Sequence, residues 1–238
     1  MSYLLDWRYL QRGAQEIRAW WRGPQRRTRA QVVREYTDWR VDLEAPALAI
    51  YPDGRLENST IGKVRDHNWR GILEGLDELG VRAGTVLEVG AGDGTNLNGL
   101  RDLAPHMAWV GCDLVPRTRG LVACDAVRLP FPDRAFEAVI TRFALEQMPR
   151  EIATQALREI GRVSRLGLVS IEPDYQRAAW LQRLAMIRKD YIRDVIRPAK
   201  AVGLELLRHD WAVGGSPLMR PSRFVFRKRA PGADGAGA

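Results

Sequence analysis

The chain has 238 residues, with 37 Lys plus Arg against 29 Asp plus Glu and a formal net charge of +8. At roughly 100–200 residues per domain this is one large domain, or one domain with an extension. A hydrophobic content of 45% supplies a core and excludes a wholly disordered chain. Apolar positions Tyr3, Trp7, Leu10, Ala14, Ile17 and Trp21 recur at steps of four and three, which predicts a helix over 3–22 that Gly23-Pro24 ends. A second short helix is expected over 26–40, loop and turn over 41–62, and a helix over 64–79 leading to the breaks at Gly80 and Gly84.

The pattern then changes to short apolar runs separated by helical stretches. Strands are expected at Thr85–Val89, Met107–Asp113, Gly120–Cys124, Phe136–Thr141 and Leu166–Ile171, with helices at about 95–104 and at Glu151–Val163. This alternation indicates parallel βαβ units. Tyr175–Ala201 reads as one long helical pattern. Leu204–Val213 and Ser222–Arg229 read as two strands joined through Gly214-Gly215-Ser216-Pro217, an antiparallel hairpin closing a parallel sheet. The tail APGADGAGA, 230–238, has no anchoring side chains and is expected to be disordered.

Charge is unevenly placed. Residues 176–238 carry 13 basic and five acidic side chains, the whole of the net excess, while residues 1–34 hold eight Arg against Asp6 and Glu16. A basic surface favours polyanions such as RNA or anionic lipid headgroups, although a solvated, arginine-rich surface accounts for the same counts. Two cysteines, Cys112 and Cys124, are too few for a disulfide framework or a four-thiolate zinc site. They are read as reduced thiols of a cytoplasmic protein. MSYLLDWRYLQRG lacks the apolar stretch of a signal peptide, and no run of about 18 apolar residues suggests a membrane span.

The most informative segment is Val86-Leu87-Glu88-Val89-Gly90-Ala91-Gly92-Asp93-Gly94-Thr95. A strand runs into glycines that open a helix and let a ligand approach the backbone. The dinucleotide spacing G-x-G-x-x-G fails, because position 95 is Thr, and no G-K-[ST] of a phosphate loop is present. Glu88, two residues before the first glycine, would repel a pyrophosphate but suits a ligand carrying positive charge. Asp113 ends the second strand, where a carboxylate can accept from both hydroxyls of a ribose. Asp125 ends the third, where it can accept from an adenine amino group while the Ala126 N–H donates to a ring nitrogen. All three acids fall at the carboxyl ends of expected parallel strands, where open α/β sheets bind ligands.

The segments VLEVGAGDGTNL (86–97), VGCDLVP (110–116) and CDAVRLPFPDRAFEAVITRFALEQMP (124–149) resemble the class I S-adenosylmethionine-dependent methyltransferases. The resemblance covers about 64–229 and is closest to the small-molecule group that includes quinone-biosynthesis C-methyltransferases. It implies an α/β, Rossmann-like doubly wound seven-stranded sheet, mostly parallel with a C-terminal antiparallel hairpin; the N-terminal helical extension read from the apolar spacing, within 1–63, lies outside the resemblance. The expected division is 1–63 as a lid or packing arm, 64–229 as the S-adenosyl-L-methionine-binding domain, and 230–238 as the tail. The resemblance implies that Glu88, Gly90 and Gly92 border the methionine part of the cofactor, that Asp113 with Leu114 holds the ribose, and that Asp125 and Ala126 hold the adenine. Arg142 and Phe143 would border the reacting methyl group. Relatives often carry a His after the Leu-Glu pair; this chain has Gln147 there.

A sulfonium methyl is already activated, so alignment matters more than a strong base. If a base acts, the candidates are His67, Glu172, Asp174, Tyr175 and His209, with His67, Glu172 and Tyr175 placed in the expected site. Positions 141–144 are Thr-Arg-Phe-Ala rather than N-P-P-Y or D-P-P-Y, which argues against methylation of an exocyclic base amine. Cys112 and Cys124 sit at strand ends and are not suited as nucleophiles for pyrimidine carbon. The leading expectation is methylation of a small, amphiphilic molecule, with the N-terminal helices and 173–200 forming a lid. The alternatives are an RNA methyltransferase using the basic termini, or a non-catalytic interaction module that touches a membrane surface through 3–22.

Overall fold

The computed structural model describes residues 18, 26–36, 60–212 and 221–229, with side chains from Asn68 onward in the second helix. The expected helix 3–22 (apart from Arg18), the loop over 41–59, the tail 230–238 and the side chain of His67 lie outside the described residues.

A helix over 29–36 (α1) comes first. It begins at a reciprocal cap: the Thr28 hydroxyl oxygen accepts from the Gln31 N–H at 3.3 Å, and Gln31 Oε1 accepts from the Thr28 N–H at 2.8 Å. This Thr-x-x-Gln box satisfies two helix-end donors at once. Helix α2 (Thr60–Glu78) starts inside the stretch expected to be loop. Then follow β1 (Gly84–Val89), α3 (Thr95–Leu103), β2 (Met107–Asp113), β3 (Val122–Ala123), β4 (Phe136–Arg142), α4 (Arg150–Val163), β5 (Ser164–Pro173), α5 (Trp180–Arg188), α6 (Ile196–Ala201), β6 (Leu204–Trp211) and β7 (Pro221–Lys228).

The seven strands form one sheet in the order β3-β2-β1-β4-β5-β7-β6. The first five are joined by parallel pairings. Strand β7 inserts between β5 and β6 and runs antiparallel to both. The order reverses at β1, whose neighbours are β2 on one side and β4 on the other, so the tips of these strands open a crevice at the switch point.

Successive strand residues face opposite sides. Val86, Ala138, Ile140, Val169 and Val225 pack with Ile72, Leu76, Leu97 and Leu100 of α2 and α3 on one face. Leu87, Val89, Val139, Leu168 and Phe226 pack with Leu157 and Ile160 of α4 on the other. Burying both faces explains why the central strands read as near-continuous apolar runs.

Two expectations need correction. The expected third strand, Gly120–Cys124, shrinks to Val122–Ala123 at the sheet edge, with Gly120 held at φ +88; short edge strands offer less unpaired backbone. The single long helix over Tyr175–Ala201 is two helices. Asp174 accepts from the Gln176 N–H at 2.9 Å, a turn rather than a helix. Asp190 breaks the run at φ +52. Asp194 then caps α6 by accepting from the Ile196 and Arg197 N–H groups at 3.0 and 3.1 Å, and Pro198 falls in the first turn, where its missing donor costs nothing.

Candidate functional site

The tips of β1, β2, β3 and β4 surround a cavity of about 900 Å³. All nine residues expected at a cofactor line it: Glu88, Gly90, Gly92, Asp113, Leu114, Asp125, Ala126, Arg142 and Phe143. Ligand pockets typically hold about 300–1,000 Å³, and this one falls in the upper part of that range.

The floor is the glycine loop. Gly90 has φ +80, and a Cβ there would stand 2.5 Å from the Ala144 Cβ; only glycine allows the two loops to approach this closely. The Gly90 and Ala91 N–H groups both donate to the Cys112 carbonyl, at 2.9 and 3.0 Å, which ties the loop to the end of β2.

Glu88 is 1% exposed. Asn96, in the first turn of α3, donates to its Oε1 at 2.7 Å, while Oε2 is buried without a hydrogen-bond partner among the described residues. Burial pushes the Glu88 carboxyl up to about 7, against the lowering effects of Asn96 and Arg142. A buried carboxylate oxygen lacking a donor is costly, and a cationic ligand in the cavity would relieve it. Asp113 Oδ2 accepts from the Gly92 N–H at 2.8 Å and Oδ1 from the Val115 N–H at 2.9 Å. Asp125 Oδ1 accepts from the Val127 N–H at 3.1 Å. For both aspartates a backbone donor within two residues, or in the facing loop, fixes the carboxylate's direction.

The other end of the cavity is built by Phe143 and the turn after it. Phe143 has φ +54, an uncommon conformation for a bulky residue. Glu172 holds the chain that follows. Its Oε1 accepts from the Thr141 hydroxyl at 3.0 Å and from the Ala144 and Leu145 N–H groups at 3.3 and 3.2 Å, and its Oε2 from the Glu146 N–H at 3.1 Å. Burial pushes the Glu172 carboxyl up to about 7, opposed by these same donors.

Glu172 was expected at the pocket mouth as a base. It is fully buried and is absent from the described cavity wall, so its geometry is that of an anchor for the 143–146 turn. Tyr175 also lies off that wall; the guanidinium groups of Arg183 and Arg193 stand over its ring, 5.6 and 5.9 Å from the centroid. His209 Nε2 and the Ser222 hydroxyl meet Asp174 Oδ2 at 2.8 and 2.9 Å, a network across the sheet's carboxyl edge that is separate from the described cavity wall. The Cys112 thiol is pushed up by its contact with Cys124 and by burial, which disfavours the thiolate that a nucleophile needs.

Several contributors escaped the sequence reading. Asn96 is one, although an amide one helical turn past the glycines is a visible signal. Residues Arg29 and Tyr36 of α1 also line the cavity, as do Gln182, Ala185 and Arg188 of α5. For α1, the Thr28-x-x-Gln31 box was the available clue. Gln147 faces the cavity, and its carbonyl accepts from Arg27 at 2.8 Å.

A doubly wound sheet with a glycine loop and acids on adjacent strand tips defines a nucleoside-binding α/β protein. Comparison with known proteins narrows this. Residues 87–169 match the family model described as "Methyltransferase domain". The demethylmenaquinone methyltransferase of Beutenbergia cavernae is 32% identical over 168 residues, covering 66% of this chain and 67% of that protein. The protein of the same name from Roseiflexus sp. is 35% identical over 114 residues, covering 43% of this chain and 47% of its own length. Among solved structures, the Burkholderia thailandensis 1,6-didemethyltoxoflavin-N1-methyltransferase, with bound 1,6-didemethyltoxoflavin and S-adenosylhomocysteine, aligns at a TM-score of 0.59. It is 18% identical, and the match covers 87% of this chain and 94% of that one; at that identity the likeness is one of fold. The chain belongs to the class I S-adenosylmethionine-dependent methyltransferases.

Proposed function

We propose that this protein transfers the methyl group of S-adenosyl-L-methionine to a small, amphiphilic acceptor. The observation that carries this reading is the convergence of Glu88, Asp113 and Asp125 on one cavity, with a buried Glu88 oxygen awaiting a donor. In this reading Glu88 receives the cofactor's ammonium group, Asp113 the ribose hydroxyls, and Asp125 with the Ala126 N–H the adenine edge. The bound cofactor supplies a methyl carbon already activated by its sulfonium. The chain's own residues orient and dehydrate. Phe143, fixed by the turn that Glu172 anchors, closes the acceptor side, and α5 contributes Gln182, Ala185 and Arg188 to the same wall. Positioning an acceptor for in-line attack supplies much of the rate without a dedicated base.

The demethylmenaquinone methyltransferase relatives make an aromatic, quinol-like acceptor the first class to test. An RNA acceptor is the weaker reading: the basic excess lies in 176–238, where some of the basic side chains are engaged in ion pairs, such as Arg223 with Asp210 and Glu74, and Arg229 with Glu205. Cytoplasmic placement belongs to the same proposal and rests on the two free thiols; no described helix is long and apolar enough to cross a membrane. The test is transfer of radiolabelled methyl from S-adenosylmethionine to a panel of hydroquinones, phenols and total RNA. Label in a small aromatic product is expected. Label in RNA alone would overturn the acceptor class.

A further inference from the structure

We infer that α1 is a latch that competes with the cofactor for Asp113 and Asp125 and must release them before the cofactor is held. The inference rests on the reading of the cavity as a cofactor site. The Tyr36 hydroxyl lies 3.0 Å from Asp113 Oδ1 and 3.1 Å from Oδ2. Arg29 meets Asp125 Oδ2 through Nε at 3.1 Å and through a second guanidinium nitrogen. One eight-residue helix therefore reaches both acids that a ribose and an adenine would need.

Valence makes this a competition rather than simple proximity. A carboxylate offers about four acceptor positions. In Asp113 the Val115 N–H takes one on Oδ1 and the Gly92 N–H one on Oδ2. Tyr36 shares its one hydroxyl proton between Oδ1 and Oδ2 and takes a third, which leaves at most one. Asp113 is only 2% exposed, so the two hydroxyls of a ribose cannot both be accepted while Tyr36 stays. The Arg29 pair is half in solvent, with side-chain exposures of 55% for Arg29 and 26% for Asp125, so it is the weaker of the two contacts. The helix is held in register by its Thr28–Gln31 cap and by Arg27, whose guanidinium bonds the Gln147 carbonyl and lies 5.0 Å from the Tyr191 ring centroid. Arg27 thereby links α1 to the acceptor end of the cavity, so release at one end loosens the other.

A protein that must break contacts of its own before binding shows an apparent affinity reduced by the fraction in the open state. Titration of the full chain with S-adenosylhomocysteine, by calorimetry and stopped-flow fluorescence, tests this. Tyr36→Phe is expected to tighten binding about tenfold through faster association, and Arg29→Ala about threefold. Hydrogen exchange over 29–36 in the wild type is expected to rise when S-adenosylhomocysteine is added. Weaker or unchanged binding in both variants, or exchange over 29–36 that falls on binding, overturns the latch while leaving the cofactor site intact. No binding by the wild type or either variant removes the cofactor reading itself, and the competition with it.

Discussion

The two ends of the cavity are built in different ways. At the acidic end, each carboxylate stands at or just beyond a strand tip and is oriented by a donor close in sequence or in the facing loop: Asn96 for Glu88, Gly92 and Val115 for Asp113, Val127 for Asp125. At the other end, Phe143 sits in a positive-φ turn held from another strand by one buried carboxylate, Glu172, and is faced by helices far away in the chain. The first end is a set of locally oriented carboxylates, two of which α1 also touches through Tyr36 and Arg29. The second is a single assembly with one keystone, so damage should remain local in one and spread in the other.

Asp113→Ala gives the largest expected effect. A buried acceptor for two ligand hydroxyls is lost, so affinity for S-adenosylhomocysteine should fall about 100-fold by calorimetry. Because each acid is oriented by its own backbone or side-chain donor, the empty protein should stay folded, with a loss of thermal stability of hydrogen-bond size only. A collapse of the fold would show that the acidic end is not modular.

Glu172→Ala comes next. It strips the acceptor from the Thr141 hydroxyl and from the Ala144, Leu145 and Glu146 N–H groups. We expect a loss on the order of 2 kcal/mol in urea unfolding. In the folded variant, KM for the acceptor should rise while cofactor affinity stays within about threefold of wild type, the threshold at which a hydrogen-bond-sized effect of ~0.7 kcal/mol is reached. Equal loss at both ends would erase the distinction between them.

Glu88→Gln is the smallest. Its carboxyl has a folded value of about 7 against an ordinary 4.5, so between these values the folded chain binds more protons than the unfolded chain. Stability contributed by this group is therefore fully present below pH 4.5, declines as pH rises towards 7, and is flat above. Glu88→Gln should remove that slope and stabilise the empty protein at pH 8 by about 1–2 kcal/mol. In the wild type, cofactor affinity should weaken as pH falls below 7, because protonation removes the partner of the ligand's cation; the variant should show no such pH dependence. A wild-type affinity constant across pH 5–8 would separate Glu88 from the cation.

The contrast also sets what the sequence could reveal. Strand β2, Met107–Asp113, and the acids at and after its end were legible because a short, near-continuous apolar run and a strand-end carboxylate are local signals. The glycine loop was legible because a positive φ at Gly90 and its approach to Ala144 require that residue type. Glu172 was legible as a strand-end acid, but not its direction, since nothing local says whether such an acid faces a cavity or the N–H groups of a distant turn. The break between α5 and α6 was marked by Asp190, Asp194 and Pro198, which outweigh the apolar spacing that suggested one helix. The contacts of Tyr36 and Arg29 span 77 and 96 residues, and no periodicity encodes such a pairing.

The most direct measurement of the central claim is a crystal structure of the protein grown with S-adenosylhomocysteine. The account predicts ribose hydroxyls on the Asp113 carboxylate, the amino group on Glu88 and the adenine edge at Asp125 and Ala126, with Tyr36 displaced from Asp113. Ligand density elsewhere, or none, with Tyr36 and Arg29 still on the two aspartates, would contradict it.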